Sequence, residues 1–162
     1  MSAPPNHLEF MTAALSTTFQ IVPEPANGLL TAQWAQAVAN PDADLRSDYA
    51  QLLAEAHRQS NCRFWLLDLR GRNWHAPSFG PWFAHDYARQ VARALGGPVF
   101  IAYVLAPQHR PIAESEATAT TQRAAAAHDL YPYFFDNETD ARSWLCDQQE
   151  LDPAAGSCRA QQ

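Results

Sequence analysis

The residues best equipped for chemistry cluster in one stretch of the 162-residue chain, Asp68-Leu69-Arg70-Gly71-Arg72-Asn73-Trp74-His75. Asp68 can accept hydrogen bonds from loop amides, and Arg70 and Arg72 can grip a phosphate or carboxylate through forked N–H donors. His75 adds a group that exchanges a proton near neutral pH. In an enzyme these would serve as base (Asp68), anion clamp (Arg70) and acid (His75). The same residues also have a structural use, with Asp68 tying down the loop, Arg70 pairing with it and Trp74 covering the edge of the core. Just downstream, Phe79 and Trp82 join Trp74 in an aromatic group that is hard to bury together, and large exposed aromatics mark surfaces that meet a partner or ligand. The candidate binding residues are therefore Asp68, Arg70, Arg72, Trp74, His75, Phe79 and Trp82.

Other chemistry finds no support in the residue spacing. The six histidines, His7, His57, His75, His85, His109 and His128, form no His-x-x-x-His or Glu-x-x-His pair, so no metal site is expected. A chain without Lys cannot build the phosphate-gripping lysine of a P-loop. Gly-x-Gly-x-x-Gly and Gly-x-Ser-x-Gly are both missing, which removes the usual dinucleotide site and hydrolase nucleophile. The expectation is a protein with no cofactor, no metal and no catalytic residues.

Composition narrows the class further. With 47% hydrophobic and 17% charged residues, the chain is neither disordered nor a coiled coil. Its net charge of -6 and lack of a basic cluster argue against nucleic acid as a partner. No apolar run is long enough to span a bilayer. The N-terminus lacks the basic flank of a secretory signal, which points to a cytoplasmic protein. Cys62, Cys146 and Cys158 are odd in number and widely spaced without a Cys-x-x-Cys, which reads as three free thiols in a reducing compartment.

The elements that must hold the candidate residues alternate along the chain. Phe19-Gln20-Ile21-Val22 and Leu29-Leu30-Thr31-Ala32-Gln33-Trp34 flank Asn27-Gly28, the signature of a hairpin. Prolines at the end of its first arm suit an edge strand. Asp42-Ala43-Asp44 is expected to cap a helix carrying Leu45, Tyr49, Leu52, Leu53 and Ala56 and ending near Gln59-Ser60-Asn61. Arg63-Phe64-Trp65-Leu66-Leu67-Asp68-Leu69 and Val99-Phe100-Ile101-Ala102-Tyr103-Val104-Leu105 read as central strands buried on both faces. Between them, one unbroken helix is expected from Trp82 to Leu95, stopped by Gly96-Gly97-Pro98. After a polar stretch over 108–115 come a helix over 116–128, a short strand over 131–135, and a helix capped by Asp136-Asn137-Glu138. The order β-β-α-β-α-β-α-β-α predicts an α/β fold, an N-terminal β-hairpin followed by βα units in a mixed sheet of about five strands with about four helices. Residues 1–16 are expected to be loosely ordered, 17–149 to form a single domain, and 150–162 to form a flexible tail.

The hairpin, the first helix and the strand ending in Asp68 resemble the opening of STAS domains, the sulfate-transporter and anti-sigma-factor-antagonist superfamily. The closing segment Tyr133-Phe134-Phe135-Asp136-Asn137-Glu138-Thr139-Asp140-Ala141-Arg142-Ser143-Trp144-Leu145 is similar to the aromatic strand, acidic cap and Ala-x-x-Trp-Leu helix of the bacterial SpoIIAA-like branch. The resemblance implies a SpoIIAA-like (STAS) fold and a non-enzymatic interaction or regulatory domain. The strand-end position, the aromatics and the lack of a catalytic motif point to the segment 70–82 and the start of the helix that follows as the surface for a protein partner. The alternative is a carrier of a small apolar or lipid-like ligand, with a pocket near Trp74. Regulatory members are phosphorylated on a serine in an Asp-Ser-Ser/Thr-Gly motif. Here Ala76-Pro77-Ser78-Phe79-Gly80 occupies that place, with Ser78 as the corresponding serine, no preceding Asp, and Pro77 where a serine is usual. A serine at a helix start also serves as an ordinary N-cap. The reading names no particular partner and no oligomeric state.

Overall fold

The computed structural model describes residues 19–34, 41–71 and 80–152. Strand β1 (Phe19–Glu24) pairs antiparallel with β2 (Leu29–Trp34), from Phe19 opposite Trp34 to Glu24 opposite Leu29. The turn between them is a three-residue 3-10 segment, Pro25–Asn27, closed by Gly28 at φ +65°. Glycine is required there twice over. The left-handed backbone penalises a side chain, and a Cβ would lie 2.9 Å from Gln149 Nε2.

Strands β3 (Phe64–Asp68), β4 (Val99–Val104) and β5 (Leu130–Phe135) follow in parallel, giving the order β1-β2-β3-β4-β5. The expected α/β class, the hairpin, the rim position of β1 and the interior positions of β3 and β4 are all present. Each rim strand carries a proline, Pro23 in β1 and Pro132 in β5. The Pro132 carbonyl also accepts a 2.8 Å hydrogen bond from Gln122 Nε2. A missing donor and an occupied acceptor make this rim a poor template for another strand.

Helices cover both faces. On one face, Leu30, Trp65, Leu67, Ile101 and Tyr103 meet α1 (Pro41–Arg58), α2 (Ala88–Leu95) and α4 (Glu116–Ala126). The one-turn helix α3 (Arg110–Ala113), preceded by a 3-10 turn over Pro107–His109, interrupts the stretch expected to be irregular. On the other face, α5 (Glu138–Leu151) lays Ala141 and Leu145 against Phe64, Leu66, Ala102 and Val104. Asn137 caps α5 by accepting the Asp140 N–H at 2.8 Å, and Ser115 caps α4 in the same way through Thr118 at 3.2 Å. Among the described residues, no helix is long and apolar enough to cross a membrane.

Three local expectations change. Helix α1 opens at Pro41, so the acidic residues expected to cap it fall inside its first turn. The helix expected from Trp82 instead begins with a six-residue π-turn, Trp82–Tyr87. Residues five apart on an α-helix stand about 140° apart, whereas the wider turn brings Trp82 to 5.2 Å from the Tyr87 ring and both onto Tyr49. The cysteines are not all free: Cys62 is a free thiol, but Cys146, 6% exposed on α5, is disulfide-bonded. Folding can bring two distant cysteines within bonding range, and spacing along the chain does not reveal it. Disulfides are rare in reducing compartments, so the cytoplasmic reading loses the support it took from free thiols. Cys158 and the segments 1–16 and 153–162 lie outside the described residues.

Several polar groups in the core are paired. Trp34 Nε1 donates to Asp48 Oδ2 at 2.7 Å, Tyr87 donates to the Tyr49 carbonyl at 2.6 Å, and the Tyr49 and Tyr103 hydroxyls bond to each other. Burial, with Tyr49 adding to it, pushes the Tyr87 and Tyr103 phenols well above their ordinary range, so both stay neutral. Trp34→Phe keeps an aromatic ring but withdraws one donor from a buried carboxylate. The expected loss is about 1.5–3 kcal/mol, read from the urea unfolding midpoint at neutral pH.

Candidate functional site

Asp68 is the last residue of β3 and faces the α5 side of the sheet, two residues beyond Leu66. That is the strand end where open α/β sheets hold ligands. Arg70 folds straight back onto it. Asp68 Oδ1 accepts the Arg70 backbone N–H at 2.9 Å and Nε at 3.0 Å, while Oδ2 accepts Nη2 at 2.8 Å. Partial burial alone would raise the Asp68 carboxyl, but the Arg70 guanidinium, its backbone N–H and its charge together hold it below the ordinary carboxylate range. The hydrogen bonds and charge of Asp68 raise Arg70 in turn, with a smaller contribution from Glu138. Both oxygens of the proposed base are thus occupied, and the proposed anion clamp is spent on its own neighbour.

The surroundings repeat this self-neutralisation. A groove of about 200 Å³ beside Asp68 is lined also by Thr31, Gln33, Glu138 and Arg142. Arg142 forks onto Glu24 at 3.1 and 2.9 Å and reaches Glu138 at 2.9 Å. The Arg142 hydrogen bonds and charge hold the Glu24 carboxyl below its ordinary range, against a smaller rise from burial. Among the described residues, Asp68 and Arg70 are therefore the sequence-predicted site residues that the fold joins.

Trp82 goes elsewhere. It is half-buried against the core, edge-on to Tyr49 at 6.1 Å, with the Arg46 guanidinium 5.4 Å above its ring. Arg72, Trp74, His75, Ser78 and Phe79 lie outside the described residues. Among the described residues, no three His, Cys, Asp or Glu side chains are grouped to hold a metal ion.

A concavity that the sequence reading did not identify lies beside this region. Gly80, Pro81, Ala84 and His85 at the start of the π-turn face Ala117, Thr120 and Ala124 of α4 across a groove of about 420 Å³. The π-turn follows β3, and α4 follows β4 through α3. Both helix starts therefore stand at the end of the sheet where the strands finish. The signal was the run of Ala and Thr in α4, whose short side chains leave space between helices. Comparison with family models, curated proteins and solved structures finds no match to this chain.

The Asp68–Arg70 pair has a measurable consequence. A depressed folded pKa stabilises the fold above the unfolded value of about 3.9, and that contribution is lost as pH falls through the folded value. Carboxyl NMR titration of Asp68 should give a midpoint below the ordinary one, and Arg70→Leu should move it upward. The acid-induced loss of stability should become shallower in the variant.

Proposed function

We propose that this chain is a non-enzymatic interaction or regulatory domain of the STAS-like, SpoIIAA-like kind. It would act by docking a protein partner at the end of the sheet where β3 finishes. The observation that carries this reading is the groove between the π-turn and α4, beside the attachment of the segment that bears Trp74, Ser78 and Phe79. Its lining is mostly small and apolar, suited to receiving a side chain. The charges at Asp68, Arg70, Glu138 and Arg142, on the α5 face of the sheet, are engaged with one another and with Glu24, which suits them to holding structure rather than reacting with a substrate. The hairpin followed by consecutive βα units agrees with the STAS-like pattern. A π-turn at this position also agrees with a working surface, since such turns recur at functional sites.

A second reading, a carrier of a small apolar or lipid-like molecule, is favoured by the size of the same groove. Small-molecule sites run to about 300–1,000 Å³, and this groove is about 420 Å³. Native mass spectrometry of freshly purified protein separates the two: a co-purifying apolar mass supports the carrier, and a bare chain supports the partner.

Ala117 and Thr120 are exposed on α4, so enlarging them fills the groove without disturbing the core. In affinity capture from the native host, Ala117→Trp and Thr120→Arg should each reduce the recovered partner by about tenfold, the effect of about 1.4 kcal/mol. Undiminished recovery with both variants would refute this surface. Alanine at Trp74 and Phe79 should weaken the same capture.

A further inference from the structure

The groove between the π-turn and α4 adjoins a second concavity of about 450 Å³, lined by Arg89, Arg93, Gly96, Gly97, His128 and Asp129. His85 on the rim of the first and His128 on the rim of the second bring their rings to 6.5 Å, which joins the two into one surface. Its first half is mostly small and apolar, and its second half is charged. Arg89 and Arg93 are both exposed and stand one turn apart on α2, about 6 Å along its axis.

Their isolation sets these two arginines apart. Arg58, Arg63, Arg70, Arg110, Arg123 and Arg142 each meet a carboxylate, and Arg46 lies over Trp82. Arg89 and Arg93 make no ion pair among the described residues, although the chain's seventeen acidic residues outnumber its eleven basic ones. Like charges four residues apart on a helix repel. Arg93 lies in the last turn of α2, where a cation offsets the carbonyl end of the helix, but Arg89 lies before that turn. The acidic groups nearby do not answer them. Asp129 accepts the Tyr131 hydroxyl at 3.2 Å, Glu116 is held by Arg123 at 3.1 Å, and the exposed Asp86 lines neither concavity.

Spacing and chemistry select the occupant. Exposed charge beside an apolar hollow is the arrangement of a protein interface, an apolar centre with a polar rim. Alternate side chains of an extended peptide point the same way and lie about 6.6 Å apart, which matches the step between the two guanidiniums. An amphiphile with one terminal carboxylate has no second charge to set at that distance.

We propose that the segment docking at this surface is an acidic peptide stretch of a partner protein. An apolar side chain enters the groove between the π-turn and α4, and alternate Asp or Glu side chains meet Arg89 and Arg93. This rests on the docking of a protein partner at that groove and adds the partner's chemistry.

A random peptide library displayed on phage is selected against the full chain, and recovered peptides are synthesised and titrated by fluorescence anisotropy. They should join Leu, Ile or Phe to Asp or Glu at alternate positions. Changing their acids to Asn and Gln should weaken binding about tenfold, and added salt should weaken the acidic form more than the amide form. Arg89→Gln together with Arg93→Gln should cause the same loss while leaving the urea midpoint in place, and Ala117→Trp should weaken both forms. Peptides weakened by Ala117→Trp but indifferent to the arginine pair overturn the acidic assignment and leave the docking groove standing. Peptides weakened by the arginine pair alone overturn the joint site, and peptides indifferent to every substitution, or none recovered, overturn the proposal. Phosphatidylglycerol vesicles, single-stranded DNA or a second copy of the chain, bound through the arginine pair with no acidic preference among peptides, would name another occupant and overturn it as well.

Discussion

The two-sided burial of β3 and β4 is the constraint on which the rest depends. Phe64 to Leu67 of β3 are all buried, and their backbone groups have no route to water except through neighbouring strands. The strands must therefore lie inside the sheet, with helices on both faces. Among the described residues, helices α1, α2 and α4 share one face and α5 covers the other. With that arrangement set, the end of β3 emerges at a rim of helix starts. Asp68, the first residue of the strand that is not fully buried, comes to stand at its edge.

This accounts for what could be read from residue types and what could not. Strand and helix alternation was legible because each element has its own apolar period, and Pro23 and Gly96 announced their positions through backbone geometry. The closing segment was legible too, but its residues have packing roles. Phe134 stacks on Tyr103 on one face at 5.2 Å, while Tyr133 and Phe135 flank Trp144 on the other at 4.9 and 5.6 Å. Phe64, Phe100 and Tyr131 form a stacked row across three strands beneath that tryptophan. The part of the chain that looks most family-like is thus explained by fitting α5 to the sheet, and it speaks to architecture more than to a partner.

The candidate site was legible only in part, for a physical reason. Local sequence placed Asp68 and Arg70 together correctly, since two residues of separation at a strand end let the guanidinium reach back. It offered no means of choosing between a pair open to a ligand and a pair closed on itself, because that depends on how exposed each partner is. The π-turn was invisible because an α-helix and a π-helix share composition. The wider turn goes with a tertiary contact, the meeting of Trp82, Phe83 and Tyr87 around Tyr49 of α1.

Helix α5 links the two ends of the sheet. Near its start, Arg142 grips Glu24 at the end of β1. Near its end, Gln149 holds the carbonyls of the turn that follows β1, and Asp152 receives Arg63 from the approach to β3. The hairpin is also held by the ladder of β2, by Phe19, Leu30 and Trp34 in the core, and by the bond from Trp34 to Asp48 of α1, and burial of one face already favours one register. A bidentate guanidinium and a two-carbonyl amide, both on one helix, add two separated points of attachment. The cost falls on Gln149: an amide turned to hold two carbonyls must leave its own oxygen facing away from them. The buried acceptor of Gln149, without a partner among the described residues, thus follows from the way the hairpin is held.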